Sequence, residues 1–288
     1  MKKNERLGDM EKSRHRKLFS NRMENNTAFR VDYEKILQVF GFDELRDVEG
    51  RDKLFEILPS PNWKKVANEI QKRVKDKWVV VGGSGPSGPA ELEWILQSGS
   101  EQTRQNCIFI AADGATRYFL TKKVIPTAIF SDLDGITPQI MAELNREASI
   151  FVIHAHGDNI DALTTFTSEI RQLDWIIGTT QTHPRPPVIS PGGFTDGDRI
   201  LFFLSCLPPT FKILLIGMDF SATVGQFSKP TLTADIPATP MKAKKLGIAA
   251  KLLAKLIPTM PHSVYGLEGC YPFPSVRKLT RAEFESSL

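Results

Sequence analysis

In the stretch AIFSDLDGIT, Asp132 and Asp134 stand two residues apart, just past an apolar run and closed by Gly135. Such a pair either supplies a nucleophile with its acid/base partner or faces a divalent cation, because hard cations take carboxylate oxygens. Asp113 in AADGAT and Asp158 in HAHGDN end apolar runs of the same kind. Magnesium keeps several of its waters, so one or two direct carboxylates plus ligand phosphates suffice. Asp113, Asp132, Asp134 and Asp158 are therefore the candidate metal set, with Asp132, Asp134, His156 and Asp158 the catalytic candidates. Any one of these acids alone could equally cap a helix or a turn.

Further polar groups follow the same logic. VGGSGPSG, with Gly83, Gly85 and Ser87, follows an apolar run and precedes a helical stretch. Glycines let backbone N–H groups approach an anion, and a helix N-terminus favours negative charge. The stretch lacks the lysine and spacing of a Walker loop and the spacing of GxGxxG. His154 and His156 are expected to diverge at a strand end, His154 into the core and His156 toward a ligand as donor or base. Thr179, Thr180 and Gln181 close another apolar run and are expected to contact a nucleotide. In GGFTDGDR, Thr195 and Asp196 can cap a helix and Arg199 can clamp a phosphate. Lys242, Lys244 and Lys245 open a C-terminal helix and read mainly as a solvated basic face.

These residues need a scaffold that brings them together. KWVVVGG, NCIFIAADG, TAIFSDLDG, SIFVIHAHGDN, DWIIGTTQ and KILLIGMDF are short β-branched and aromatic runs that end in glycine and polar residues. Helical spacing lies between several of them. Strands alternating with helices imply a mainly parallel, doubly wound α/β sheet, and continuous apolar runs imply strands covered on both faces. Ligands of such sheets bind beyond the carboxyl ends of the strands, where the polar tails would gather. Ahead of the sheet, residues 31–75 read as a small helical N-terminal region, and residues 76–288 as the nucleotide-binding catalytic domain.

Composition narrows the class. The chain has 288 residues, 41% of them hydrophobic and 24% charged, as expected of one large folded unit with a small appendage. Residues 1–30 carry nine Lys/Arg against four acids, which exceeds the net charge of +4 for the whole chain. The remainder is close to neutral, which argues against a nucleic-acid-binding body and makes residues 1–30 a basic, flexible arm. Cys107, Cys206 and Cys270 are widely spaced without CxxC, so neither a disulfide framework nor a zinc site is expected. No apolar run reaches the ~18 residues of a membrane span, and no signal segment is expected at the N-terminus, which places the chain in the cytoplasm.

Taken alone, AIFSDLDGIT resembles the first motif of haloacid-dehalogenase-type phosphatases. Ile136 stands where that motif has threonine, two strand units precede it, and no downstream acidic motif completes it. GGSGPS, AADGAT, SDLDG, IHAHGDN, GTTQ, GGFTDGDR and GMDF, in this order, resemble the archaeal 6-hydroxymethyl-7,8-dihydropterin pyrophosphokinases, a family related in fold to thiamine pyrophosphokinase. The resemblance runs from about Val31 to the C-terminus, and Met23 also opens a family-like N-terminus. It departs from the thiamine pyrophosphokinase pattern at Gly193, where an aspartate is usual, and at Arg199, where lysine is usual, with Asp158 a substitute ligand. The resemblance implies magnesium-dependent diphosphoryl transfer from ATP to a reduced pterin, releasing AMP, in pterin or folate-type cofactor synthesis. It implies Gly83, Gly85, Ser87, Asp113, Thr179, Thr180, Gln181, Thr195, Asp196 and Arg199 around the nucleotide. A homodimer is compatible with it. Related folds keep a sugar-nucleotide-dependent glycosyltransferase as the alternative, beside the phosphatase.

Overall fold

Each apolar run becomes a buried strand and each polar tail a turn at one sheet edge. The computed structural model describes residues 20–59, 62–98 and 100–288. In chain order the strands are Trp78–Gly82 (β1), Cys107–Ala112 (β2), Ala128–Ser131 (β3), Ile150–Ala155 (β4), Ile176–Thr180 (β5) and Lys212–Ile216 (β6). Thr223–Val224 (β7) and Ile236–Pro237 (β8) form a small antiparallel pair, and Val264–Gly266 (β9) and Arg277–Lys278 (β10) complete the main sheet. That sheet has the order β10-β9-β6-β1-β2-β3-β4-β5, and every pairing in it is parallel. The expected α/β fold is the observed one.

Parallel strands need helices on both faces. Along β1, Val79 and Val81 point into a cluster with Tyr33, Trp63, Ile70, Phe203 and Leu253, whereas Val80 points into another with Leu92, Ile95 and Phe119. This alternation is the two-residue period of a pleated strand. Around β3 and β4, Ile129, Phe151 and Ile153 pack with Leu54, Leu163 and Ile170. The chain steps outward from β1 to β5, then crosses back to lay β6 on the other side of β1. The strand order thus reverses between β1 and β6, and ligands of open α/β sheets bind at such a point.

Of the expected basic arm, residues 1–19 lie outside the described residues. The packed chain begins before the expected boundary: Ser20 opens a helical turn, and Met23 and Phe29 are buried. Phe29 meets Phe202 edge-on, with ring centroids 5.3 Å apart, and the Asn26 amide donates to the Pro191 carbonyl at 2.9 Å. The helices Thr27–Phe40, Glu44–Ile57 and Trp63–Val74 share core clusters with the sheet. Asp43 caps the second of them by accepting the Leu45 N–H at 2.9 Å. Gly50 lets this helix lie directly on the chain after β4, since a Cβ there would stand 2.6 Å from the His156 carbonyl oxygen. The three cysteines are free and buried, and among the described residues no helix is long and apolar enough to cross a membrane.

Candidate active site

The ends of β2 and β3 build the acidic centre. The Asp113 N–H donates to the Phe130 carbonyl at 2.7 Å, holding Asp113 in the left-handed region at φ +43°. The Ser131 hydroxyl donates to Asp113 Oδ1 at 2.5 Å and accepts the Leu133 N–H at 2.8 Å. That turn, with Leu133 at φ +75°, carries Asp132 and Asp134 back toward Asp113. Gly135 makes the approach feasible, because a Cβ there would overlap the Asp113 carboxylate and the Gly114 nitrogen. One oxygen from each of Asp113, Asp132 and Asp134 lies within 4.8 Å of the other two. Asp158 stands outside this group, on the turn after β4 and one strand further along the edge.

Electrostatics distinguishes the acids. Burial pushes Asp113 well above the usual carboxylate range, and repulsion from Asp132, Asp196 and Asp134 adds to it. Burial, then Asp132, pushes Asp196 to about 8, with Arg199 opposing. Asp132 goes the other way. Burial would raise it, but the hydrogen bond and charge of His156 outweigh that and hold it at about 2. His156 Nε2 lies 3.4 Å from Asp132 Oδ2, while the buried Asp132 Oδ1 has no partner. Crowded hard-oxygen donors, acids that resist ionising together and an unpartnered carboxylate oxygen fit a divalent cation of the magnesium type.

Two chambers meet at this centre. The smaller lies at the β1/β6 reversal and is lined by Gly83–Gly85, Asp113, Gly217–Ser221, Gly197 and Leu246 among others. Part of its wall is the packed backbone of the β1 and β6 turns. The Gly85 N–H donates to the Gly217 carbonyl at 2.9 Å, and a Cβ on Gly85 would stand 2.6 Å from that oxygen. Asp219 accepts the Ser87 N–H at 2.9 Å, and the Ser87 hydroxyl lies between Asp219 and Glu91. The larger chamber, about 580 Å³, is walled by Phe42, Asp47, Asp132, His156, Gln181, Phe194 and Arg199. Asp134, Thr195, Asp196, Ser228, Lys229 and Lys242 line both. Lys229 Nζ sits 3.1 Å from Asp134 Oδ2.

The sequence-derived candidates divide accordingly. Gly83, Gly85, Asp113, Thr195 and Asp196 face the smaller chamber. Asp132, His156, Asp158, Gln181 and Arg199 line the larger one. Ser87 lines neither, because its polar atoms are spent bracing the β1 loop against Asp219 and Glu91. Thr179 and Thr180 belong to buried β5; Thr179 pairs with His154 Nδ1 at 3.1 Å and Thr180 accepts the Thr182 N–H at 3.4 Å. His154 is buried as expected, but its ring does not diverge from that of His156. The centroids are 5.8 Å apart, since positions two apart in a strand share a face.

Arg199 is almost wholly buried, donating to Asp196 Oδ1 at 3.0 Å and to the Phe194 carbonyl at 2.7 Å, with Nε unpartnered. Thr195 and Asp198 form a capping box at the start of the Asp196–Leu204 helix. Sequence reasoning missed Asp47 and Lys229, which nothing in their local pattern marks. The role of Asp219 had a signal in the GMDF tail.

A parallel sheet with an acidic edge between two chambers defines a doubly wound α/β protein. The model of the 6-hydroxymethylpterin diphosphokinase MptE-like family matches residues 53–225, and the chain belongs to that family. A 6-hydroxymethyl-7,8-dihydropterin pyrophosphokinase of Methanothermobacter thermautotrophicus is 37% identical over 222 residues, covering 77% of this chain and 90% of the relative. Its namesake in Methanocaldococcus jannaschii is 36% identical over 229 residues, covering 77% and 92%. The namesake in Pyrococcus furiosus is 36% identical over 221 residues, covering 77% and 89%. Among solved structures, the MAf glycosyltransferase of Magnetospirillum magneticum AMB-1 shows a TM-score of 0.45 at 13% identity, over 72% of this chain and 34% of that longer one.

Proposed function

We propose that the protein transfers a diphosphoryl group from ATP to the hydroxymethyl oxygen of 6-hydroxymethyl-7,8-dihydropterin, giving the pterin diphosphate and AMP. One observation carries the reading: Asp113 lines the smaller chamber, Asp132 the larger, and Asp134 both. A transfer between two bound substrates needs a shared acidic centre at the join, and family membership supplies the substrate class. ATP takes the smaller chamber, where the close backbone approach at Gly83 and Gly85 leaves room for its phosphates and Lys229 and Lys242 supply positive charge. The reduced pterin takes the larger one.

Asp113, Asp132 and Asp134 would hold magnesium, which when bound neutralises phosphate charge and orients the diphosphate for displacement. Lys229 and Lys242 add positive charge where the chambers meet. As the hydroxymethyl oxygen bonds the β-phosphorus its proton passes to water, and His156, with Nε2 toward Asp132 and Nδ1 accepting the Asp158 N–H at 3.2 Å, positions Asp132. The α–β bridging bond breaks and AMP leaves with that electron pair. Alignment and charge balance carry the catalysis, without a covalent enzyme intermediate.

The test is to incubate the protein with ATP, magnesium and the dihydropterin and to resolve the nucleotides. AMP formed in step with pterin diphosphate is expected. ADP, free phosphate or no product would overturn the assignment; phosphate release with an aspartyl-phosphate on Asp132 would install the phosphatase instead.

A further inference from the structure

The wall of the larger chamber contains an amide whose orientation is dictated from behind. Asp47, buried on the Glu44–Ile57 helix, accepts the Gly157 N–H at 2.7 Å on Oδ1. Its Oδ2 accepts the Tyr33 hydroxyl at 2.7 Å and Gln181 Nε2 at 2.8 Å. With all three neighbours donating to it, the Asp47 carboxylate serves as acceptor, so Gln181 turns its nitrogen to Asp47 and its oxygen away. That oxygen, Oε1, is buried and has no partner, and the whole side chain is 5% exposed. A buried acceptor left unpaired is costly, and a ligand N–H that completes it recovers that cost.

The surroundings suit a flat heterocycle. Gln181 lines the chamber together with Phe42, Phe194, His156 and Arg199. The two phenylalanines offer ring surface, and the buried Arg199 carries a second unsatisfied atom, Nε, which donates. The Gln181 acceptor selects a ligand that presents an N–H along its edge, and Arg199, on the same chamber, is a donor for an acceptor on that ligand. The pyrimidinone edge of a pterin, with its 2-amino group, N3–H and 4-oxo group, has this pattern.

Resting on the proposed transfer reaction, we infer that Gln181 is a specificity residue for the pterin: its Oε1 accepts an N–H of the pyrimidinone edge, and Asp47 is the positioning residue that fixes the amide. This moves Gln181 from the nucleotide, where its place in GTTQ put it, to the acceptor substrate. Gln181 does not line the smaller chamber, so the affinity for ATP is not expected to depend on it.

The test uses the full chain as wild type, Gln181→Met and Asp47→Asn, each first checked for folding by its thermal melt. Steady-state AMP release is measured with 6-hydroxymethyl-7,8-dihydropterin and with analogues carrying a methyl in place of the 2-amino group or on N3. The wild type should reject at least one analogue. Gln181→Met should lose about 10-fold to 100-fold in kcat/KM for the natural pterin, mostly in KM, as expected for one unpaired polar contact. It should also lose the discrimination against that analogue while keeping its KM for ATP. Asp47→Asn, whose amide can donate as well as accept, should relax the discrimination in part. Turnover by Gln181→Met with unchanged KM and unchanged discrimination overturns the inference alone. Absence of AMP release by the wild type with the natural pterin overturns the reaction and the inference together.

Discussion

Replacing Asp113 with asparagine separates what the acidic centre does for stability from what it does for binding. Without a cation, oxygens of Asp113, Asp132 and Asp134 lie within 4.8 Å of each other. At an effective dielectric constant of about 20, two unit charges at that distance repel by about 3 kcal/mol. Asparagine is nearly isosteric and its oxygen can still accept the Ser131 hydroxyl, so the cation-free variant should be at least as stable as wild type. The same change removes one of three anionic donors, for which a loss of about 100-fold in magnesium affinity is expected by comparison with changes around other metal sites. At magnesium near 100 times its wild-type dissociation constant, linkage stabilises wild type by about 2.7 kcal/mol and the variant by only about 0.4 kcal/mol. Thermal melts with and without magnesium read both signs at once. Wild type should gain about 5–10 °C and the variant about 1 °C. A variant that melts with the same magnesium response as wild type, or a cation-free variant that is several degrees less stable, would refute the assignment of Asp113 to the cation.

Two further outcomes follow from the packing. Burial holds the His262 imidazole at about 4, against Phe211 at a centroid distance of 4.5 Å and with the Pro208 carbonyl opposing. An unfolded histidine titrates near 6.5, so the stability it contributes is whole above that pH and is lost as pH falls toward 4, by about 3 kcal/mol in all. His262→Phe should therefore flatten the acid limb of urea-denaturation midpoints between pH 7.5 and 4.5, and equal acid slopes would disprove this. Gly85→Ala forces a methyl to within 2.6 Å of the Gly217 carbonyl and 2.7 Å of Asp219 Oδ2, so the β1 turn must move. The expected result is a KM for ATP raised at least ~10-fold, with the melt lowered by a cost of about 1–3 kcal/mol of overpacking; an unchanged KM for ATP would remove the glycine turn from the nucleotide site.

Strands β1 to β6 were legible because each is a short apolar run of the kind a parallel sheet covered on both faces needs, whereas β9 and the exposed Arg277–Lys278 pair of β10 carry no such run. The acidic centre was legible for the same reason, since Asp113, Asp132 and Asp134 each follow such a run and must reach one edge. The local pattern failed where a polar tail turned inward. Thr179 and Thr180 resemble ligand contacts, yet they are the last residues of β5 and spend their hydroxyls inside the sheet. Ser87 sits in an anion-binding pattern, but Asp219 occupies it from a distance of 132 positions in the chain. Asp47 is one acid among several on a largely polar helix, and only the docking of that helix on the turn after β4 shows that it is buried under the amide of Gln181. Contacts that depend on how helices seat on the sheet have no local signature.

The helix Glu44–Ile57 lies against the chain after β4 so closely that Gly50 has no room for a side chain. Its other consequence concerns the larger chamber. The turns that line the smaller chamber come from the strand ends themselves. The larger chamber draws Phe42 and Asp47 from a segment laid across one end of the sheet, beside Gln181, Phe194 and Arg199. Changes in that segment can therefore reshape the larger chamber while leaving Asp113, Asp132 and Asp134 in place. Engineering for a new ligand in that chamber should begin between Phe40 and Ile57 and at Gln181, not among the aspartates.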